Sequence, residues 1–535
     1  MSASLGTAAT EDLKFRRTLG FWSLVAAGLG SVIGSGWLFA SMYAAQDAGP
    51  ASLIAWVIGG VLMLAVALVF AELGISRPES GGLVRYPLYS NGRLVAGIVG
   101  WCFWISYLAN PPTEAAGVVQ YASSYLPGVY SGHRLTGLGV LLAIGLMAVF
   151  VLVNYFGVKI FARTNNIITA VKILIPTATV ILLIASGFDG RNFTRAGGFA
   201  PYGYSAALGT IATAGIVFAY TGFRNIVELS GEVINPRRHI PAALVTTILV
   251  TIALYLGLEF AYLGGVPAEL LGGGWHGVNL DSPYAQLAMV LGMPYLYWTL
   301  IADSMISPSG SGIVYTAANA RNAYGLAKNG FFPAWVCQVN DRWGVPRRAL
   351  LVNFVVGVAF LLPLPSWHAI TAAMGSLAVF TFSIGSISLM AFRRAGVTGP
   401  GDRLGGMAVL APAVFVISAL VIVWVPWPKL LESAPVVAIG LIWYLVTVAR
   451  RPGTSRALTQ DEVRAGLWIV VHLVFLYAVS ALGSFQGLGV IPAPWDSVLV
   501  AVVSLAIYVW GVSAGVAYLA AHPAPAPVTA DDGLA

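Results

Sequence analysis

The sequence predicts an all-α polytopic membrane protein, and three observations carry that reading. Of its 535 residues 58% are hydrophobic and only 9% charged, where a soluble domain carries about 25% charged residues. Mean hydropathy is +0.82. Apolar stretches of membrane length recur from end to end, and the two-residue alternation of a β-barrel is absent.

Taken in order, residues 1–19 begin neither basic nor apolar and read as a short cytoplasmic tail, not a signal peptide. Fourteen spans follow. The first five are expected at 20–45, 51–75, 94–123, 136–156 and 165–186, and the next five at 205–231, 241–264, 284–316, 348–364 and 367–391. Four more lie at 405–425, 434–450, 465–483 and 495–519. The short ones, 348–364 and 434–450, are near the lower limit for crossing a core of about 30 Å. Residues 520–535 are Pro/Ala-rich and read as a disordered tail. Cys102 and Cys337 make no disulfide framework.

Charge placement tests the count. With the N-terminus inside, 22 of the 28 Lys and Arg residues fall in cytoplasmic segments, among them Lys14, Arg77, Arg163, Arg342, Arg393 and Arg450. Outside segments hold 4, namely Arg134, Arg191, Arg195 and Lys429, and only Lys172 and Arg224 lie within spans. This is a positive-inside pattern, and it puts both termini in the cytoplasm of a cell inner membrane. It also accounts for the net charge of +7 without a nucleic-acid partner. The partners it leaves are the lipid bilayer and a small solute.

Two spans carry polar interruptions. Gly34-Ser35-Gly36 sits in the middle of the first, Thr221-Gly222 in the middle of the sixth. A broken membrane helix exposes backbone groups that a solute, ion or partner must satisfy. The carbonyls that end one half suit an ammonium, and the N–H groups that begin the other suit a carboxylate. A zwitterionic amino acid needs both. The alternative is close helix packing on the glycines. The interruptions lie five spans apart, as two inverted five-helix repeats would place them.

Three stretches resemble the amino acid–polyamine–organocation (APC) superfamily of permeases. GLGSVIGSGWLF is similar to its first-helix motif and FAYTGFRNIVELSGEVINPRRHIP to its sixth. GSGIVYTAANARNAYGLAKNGFFPAWVCQVNDRWGVPRRAL resembles its segment from helix eight to helix nine. The resemblance implies a 5+5 inverted-repeat core, here 20–186 and 205–391, with 405–519 as accessory helices beyond the twelve spans of many relatives. It implies substrate at the unwound parts of helices one and six, hence at Ser31, Ile33, Gly34, Ser35, Gly36, Phe218, Ala219, Thr221 and Gly222.

Ionisable residues within spans are costly and are functional suspects. Lys172 falls in the region where some proton-coupled members of the superfamily use a lysine in place of sodium, so the resemblance implies proton coupling; snorkelling to the headgroups is the alternative. Arg224 stands where many relatives carry an acidic residue. It can fork onto a substrate carboxylate, which favours acidic amino acids, or pair locally with Glu228 one turn on. Glu232 extends that stripe, Asp303 lies in a serine-rich run, and Glu114 follows Asn110-Pro111-Pro112 as a proton carrier or helix cap. Glu72 is expected to form gating ion pairs with Arg77 and Arg85.

The function these residues predict is secondary active amino acid transport, by proton symport and alternating access, with the proton as coupling ion and no other cofactor. The alternatives are an amino acid or amine exchanger, a non-transporting nutrient sensor, and a channel. HExxH is absent and the six histidines are scattered, so no catalytic or metal constellation supports an enzyme.

Overall fold

A computed structural model of the chain describes residues 19–78, 82–156, 159–340, 345–449 and 459–525, by backbone alone at 159–167 and 447–449. The tail 1–18, the residues 526–535, and Lys14, Arg342 and Arg450 lie outside the described residues, as does the side chain of Arg163.

The first half comprises α1 (Phe21–Val32), α2 (Gly36–Ala48), α3 (Ser52–Ser76), α4 (Gly82–Leu108), α5 (Asn110–Ala122), α6 (Gly137–Tyr155) and α7 (Lys159–Gly187). Next come α8 (Tyr204–Thr213), α9 (Ile216–Tyr220), α10 (Arg224–Glu228), α11 (Pro236–Gly265), α12 (Pro283–Val290), α13 (Pro294–Lys328), α14 (Arg347–Leu361) and α15 (Trp367–Arg394). Four helices close the chain: α16 (Met407–Val423), α17 (Ala434–Ala449), α18 (Gln460–Leu482) and α19 (Trp495–Ala521). One short antiparallel hairpin pairs Tyr130–Ser131 with Arg134–Leu135.

All fourteen expected stretches are helical. Among the described residues nine helices are long and apolar enough to cross a membrane, or ten if the bent pair α8 with α9–α10 counts as one. The shortfall from fourteen is physical. α1 and α16 are short, α14 has 15 residues, and α13 carries too many polar side chains. The last helix runs on to Ala521, so the predicted tail starts two residues late.

Helix ends follow local chemistry. Ser366 caps α15 by accepting from the Ala369 amide at 3.1 Å, and Thr459 with Glu462 forms a reciprocal capping box on α18. Pro111 and Pro112 lack the N–H groups that would reach back one turn. Asn110 compensates, its side-chain amide donating to the Tyr107 carbonyl at 2.8 Å. Ala109 keeps helical angles, so α4 and α5 run on as one apolar helix.

α15 is buried along its apolar length and α4–α5 nearly so, whereas α6, α7 and α17 turn most of theirs outward. α3 lies along α11, α13 along α5, and α15 between α4 and α16. The two-part helix α1–α2 therefore threads the centre, with α11, α13 and α7 against its first half.

Candidate functional site

The hydrogen-bond ladder of the first span stops at Val32. Ile33 leaves helical geometry (φ −84°, ψ 87°) and Gly36 restarts the helix. The carbonyls that close α1 are claimed by side chains from three other helices. The Lys172 ammonium on α7 donates to the Gly30 carbonyl at 2.6 Å and to the Ser311 hydroxyl at 2.8 Å. Ser311, with one proton to give, has the carbonyls of Gly30 and Ile33 at 3.1 and 3.2 Å. Tyr255 on α11 donates to the Val32 carbonyl at 3.0 Å and to Ala219, on the other broken span, at 3.1 Å.

On the far side of the break the Ser35 amide donates to the Glu114 carboxylate at 2.7 Å. A Cβ on Gly34 would run into that same carboxylate. Lys172 and Glu114 are each 1% exposed. The chain thus sets its own ammonium on the carbonyls before the break and its own carboxylate on the amide after it. Those are the two groups an amino acid backbone would present.

The second interruption is not where the sequence placed it. The 52° bend falls between α8 and α9, at Ala214 and Gly215, because Gly215 takes a left-handed conformation (φ +87°) that a residue with a Cβ resists. Thr221–Phe223 only tightens into a 3-10 turn. Gly222 has a different task. A Cβ there would stand 2.6 Å from the Val32 Cα. Gly36 is its counterpart, since a Cβ on it would stand 2.9 Å from Ala219 Cα. The backbone therefore meets backbone at both points, Val32 with Gly222 and Gly36 with Ala219. Ser31, Ile33, Ala219 and Thr221 are buried in that contact, while Phe218 is partly exposed.

Arg224 is 1% exposed. Its Nε donates to the Thr221 carbonyl at 3.2 Å. Its guanidinium carbon lies 4.2 Å from the Tyr107 ring centre, 5.1 Å from Phe382 and 5.3 Å from Phe103. Nη1 has no hydrogen-bond partner among the described residues. The side chain turns into this aromatic box, where cation–π attraction holds it. On α13, Asp303 is fully buried and accepts from Ser307 at 2.7 Å.

Next to the first break sits Trp367, a residue that nothing in the letters singles out. Its indole N–H donates to the Ser35 hydroxyl at 2.7 Å, and its ring lies against Phe39, Tyr43 and Phe218 with centroids 5.0, 5.7 and 5.8 Å away. It also fills the space beside Gly215. Beyond it opens a vestibule of about 490 Å³ lined by Tyr43, Gln46, Asp47, His133, His276, Asn279, Ser366, His368 and Ala369.

An amino acid permease family model matches residues 19–449. The chain belongs to this family. The permease is 39% identical over 514 residues to the glutamate/serine transporter AimA of Bacillus subtilis, covering 94% of each chain. It is 33% identical over 502 residues to the aspartate-proton symporter of the same organism, covering 93% of this chain and 96% of that one. A methylthioribose transporter, also from Bacillus subtilis, is 25% identical over 458 residues. It is thus a membrane transporter of the APC superfamily and not an enzyme.

The permease's ion pairs differ from expectation. Glu72, at 0% exposure, is forked by Arg393 of α15, both contacts at 2.5 Å, and also accepts from the Leu404 amide at 2.7 Å. Arg77 instead donates to the Pro525 carbonyl and faces the Tyr89 ring, and Arg85 also lies over the Tyr89 ring. A bidentate fork from a facing helix satisfies both carboxylate oxygens of Glu72 at once. Glu232 lies 3.7 Å from Arg321. Among the described residues no cluster of His, Cys, Asp or Glu is arranged to hold a metal ion.

Proposed function

We propose that the permease brings acidic and small polar amino acids into the cell together with protons, by alternating access around the Ile33–Ser35 break. The observation that carries this reading is the pair of internal ligands: Lys172 on the Gly30 carbonyl and Glu114 on the Ser35 amide. A substrate carboxylate can take the Ser35 amide only when Glu114 releases it, and a proton on Glu114 weakens its hold as an acceptor. Substrate binding and protonation are then one event. Lys172 is the coupling residue on the other side of the break, where it stands in for a cation.

The names of the relatives, a glutamate/serine transporter and an aspartate-proton symporter, support amino acids of this size and charge. Arg224 supplies side-chain choice, with an unclaimed Nη1 one turn beyond Thr221. The core is read as two inverted repeats, 20–186 and 205–391, with 405–519 as accessory helices and both termini in the cytoplasm, on the charge pattern.

The purified permease in liposomes should take up labelled aspartate, glutamate or serine when the outside is acidified, with no sodium present. Uptake that follows a sodium gradient and ignores pH would overturn the reading. Counterflow without net uptake would make it an exchanger.

A further inference from the structure

We propose that Asp303 is the fixed counter-charge of Lys172, a positioning residue that keeps the ammonium in place when Glu114 takes up a proton. The proposal rests on the proton-coupled reading above and adds a residue to it.

Lys172 is 1% exposed, and both of its hydrogen bonds go to neutral oxygens, the Gly30 carbonyl and the Ser311 hydroxyl. A Cβ on Gly310 would stand 3.2 Å from Nζ, so the ammonium lies close against α13. An ammonium so enclosed needs negative charge nearby. Among the described residues two carboxylates face it, Glu114 from α5 and Asp303 from α13. The helices α1 and α11 also pack on α7 and bring it no charged group.

The two carboxylates are held differently. Glu114 accepts from the Ser35 amide at 2.7 Å, at the break itself, where a substrate carboxylate competes with it. Once protonated it brings Lys172 no charge. Asp303 is set apart from that exchange. It shares one face of α13 with Ser307 and Ser311, at a spacing of four residues. The Ser307 hydroxyl donates to its Oδ1 at 2.7 Å, a bond that suits an ionised carboxylate, and Oδ2 makes no hydrogen bond among the described residues. The ionisable groups that face Asp303 are Lys172 from α7 and Tyr121 from α5. The other helices packed on α13, namely α1, α4, α6, α12 and α14, bring it no charged group. One carboxylate thus exchanges its proton while the other keeps its charge, and Lys172 stays on the Gly30 carbonyl throughout.

Proton-driven uptake of labelled aspartate, glutamate and serine by the permease in liposomes, measured across external pH, tests this. Without the charge of Asp303 the Lys172–Glu114 pair is more positive and takes its next proton only at greater acidity. Asp303→Asn is therefore expected to move the pH of half-maximal uptake toward acid by about one unit, and Asp303→Glu to stay near the native value. A native midpoint in Asp303→Asn overturns the counter-charge and leaves the transport reading standing. Native uptake that ignores pH overturns both. A second measurement needs no uptake. The melting transitions of Lys172→Gln, Asp303→Asn and the double variant form a cycle, and the double is expected to lose less than the two singles together. Additive losses overturn the pairing.

Discussion

At the scale of single residues, the Ser35 amide proton has one acceptor, the Glu114 carboxylate at 2.7 Å. Glu114→Gln keeps the shape and removes the exchangeable charge. Uptake by this variant is expected to lose its response to an imposed pH gradient, while exchange of internal for external substrate persists; the comparison is made in the same liposomes. Arg224→Gln is expected to lower aspartate and glutamate uptake tenfold or more and serine uptake far less, since about 1.4 kcal/mol of lost binding is a factor of ten. Equal losses would assign Arg224 to structure alone. Lys172 and Arg224 were legible in the sequence because a charge in an apolar run stands out. Trp367 was not, because one of 16 tryptophans in a membrane chain reads as an interfacial anchor. Nor could spacing reveal that Glu114 reaches Ser35, 79 residues away.

At the scale of elements, glycine content announced two interrupted spans, but not which glycine bends and which packs. Gly215 and Gly222 look alike in the letters. Only the backbone angle of the one and the Val32 contact of the other tell them apart. The packing reading and the ligand reading of the first break are also compatible: Gly36 holds Ala219 close, while Ser35 keeps its amide for a carboxylate. Gly222→Ala has backbone on both sides of the clash, so nothing flexible can yield. It is expected to cost about 1–3 kcal/mol, read as a melting temperature lower by several degrees, with uptake falling in parallel. Pro308 lies inside α13, which runs as one helix of 35 residues.

At the scale of the whole molecule, Glu72, Arg393 and the Leu404 amide join α3 to α15 and the segment after it. In the proposed orientation this junction faces the cytoplasm. Leaving a buried carboxylate without its partner costs about 3–5 kcal/mol. Arg393→Gln is therefore expected to shift the permease toward a state open on that side, and cysteines placed along the inner ends of α3 and α15 should label faster from the cytoplasm. Unchanged labelling would remove the junction from the gating mechanism. The length and apolarity of most helices were legible because bilayer thickness dictates them. The partition of roles among them was not, because α13 is defined by what it touches. That helix has a consequence for how the chain is made. Asp303, Ser311, Asn319 and Asn322 are all buried, and α13 is not among the helices apolar enough to cross a membrane unaided. Its polar face is covered by α5, α4 and α1, with α7 contributing Lys172. Each of those is synthesised earlier. α13 is therefore expected to insert stably only alongside the first half of the chain, whose helices cover its polar side chains.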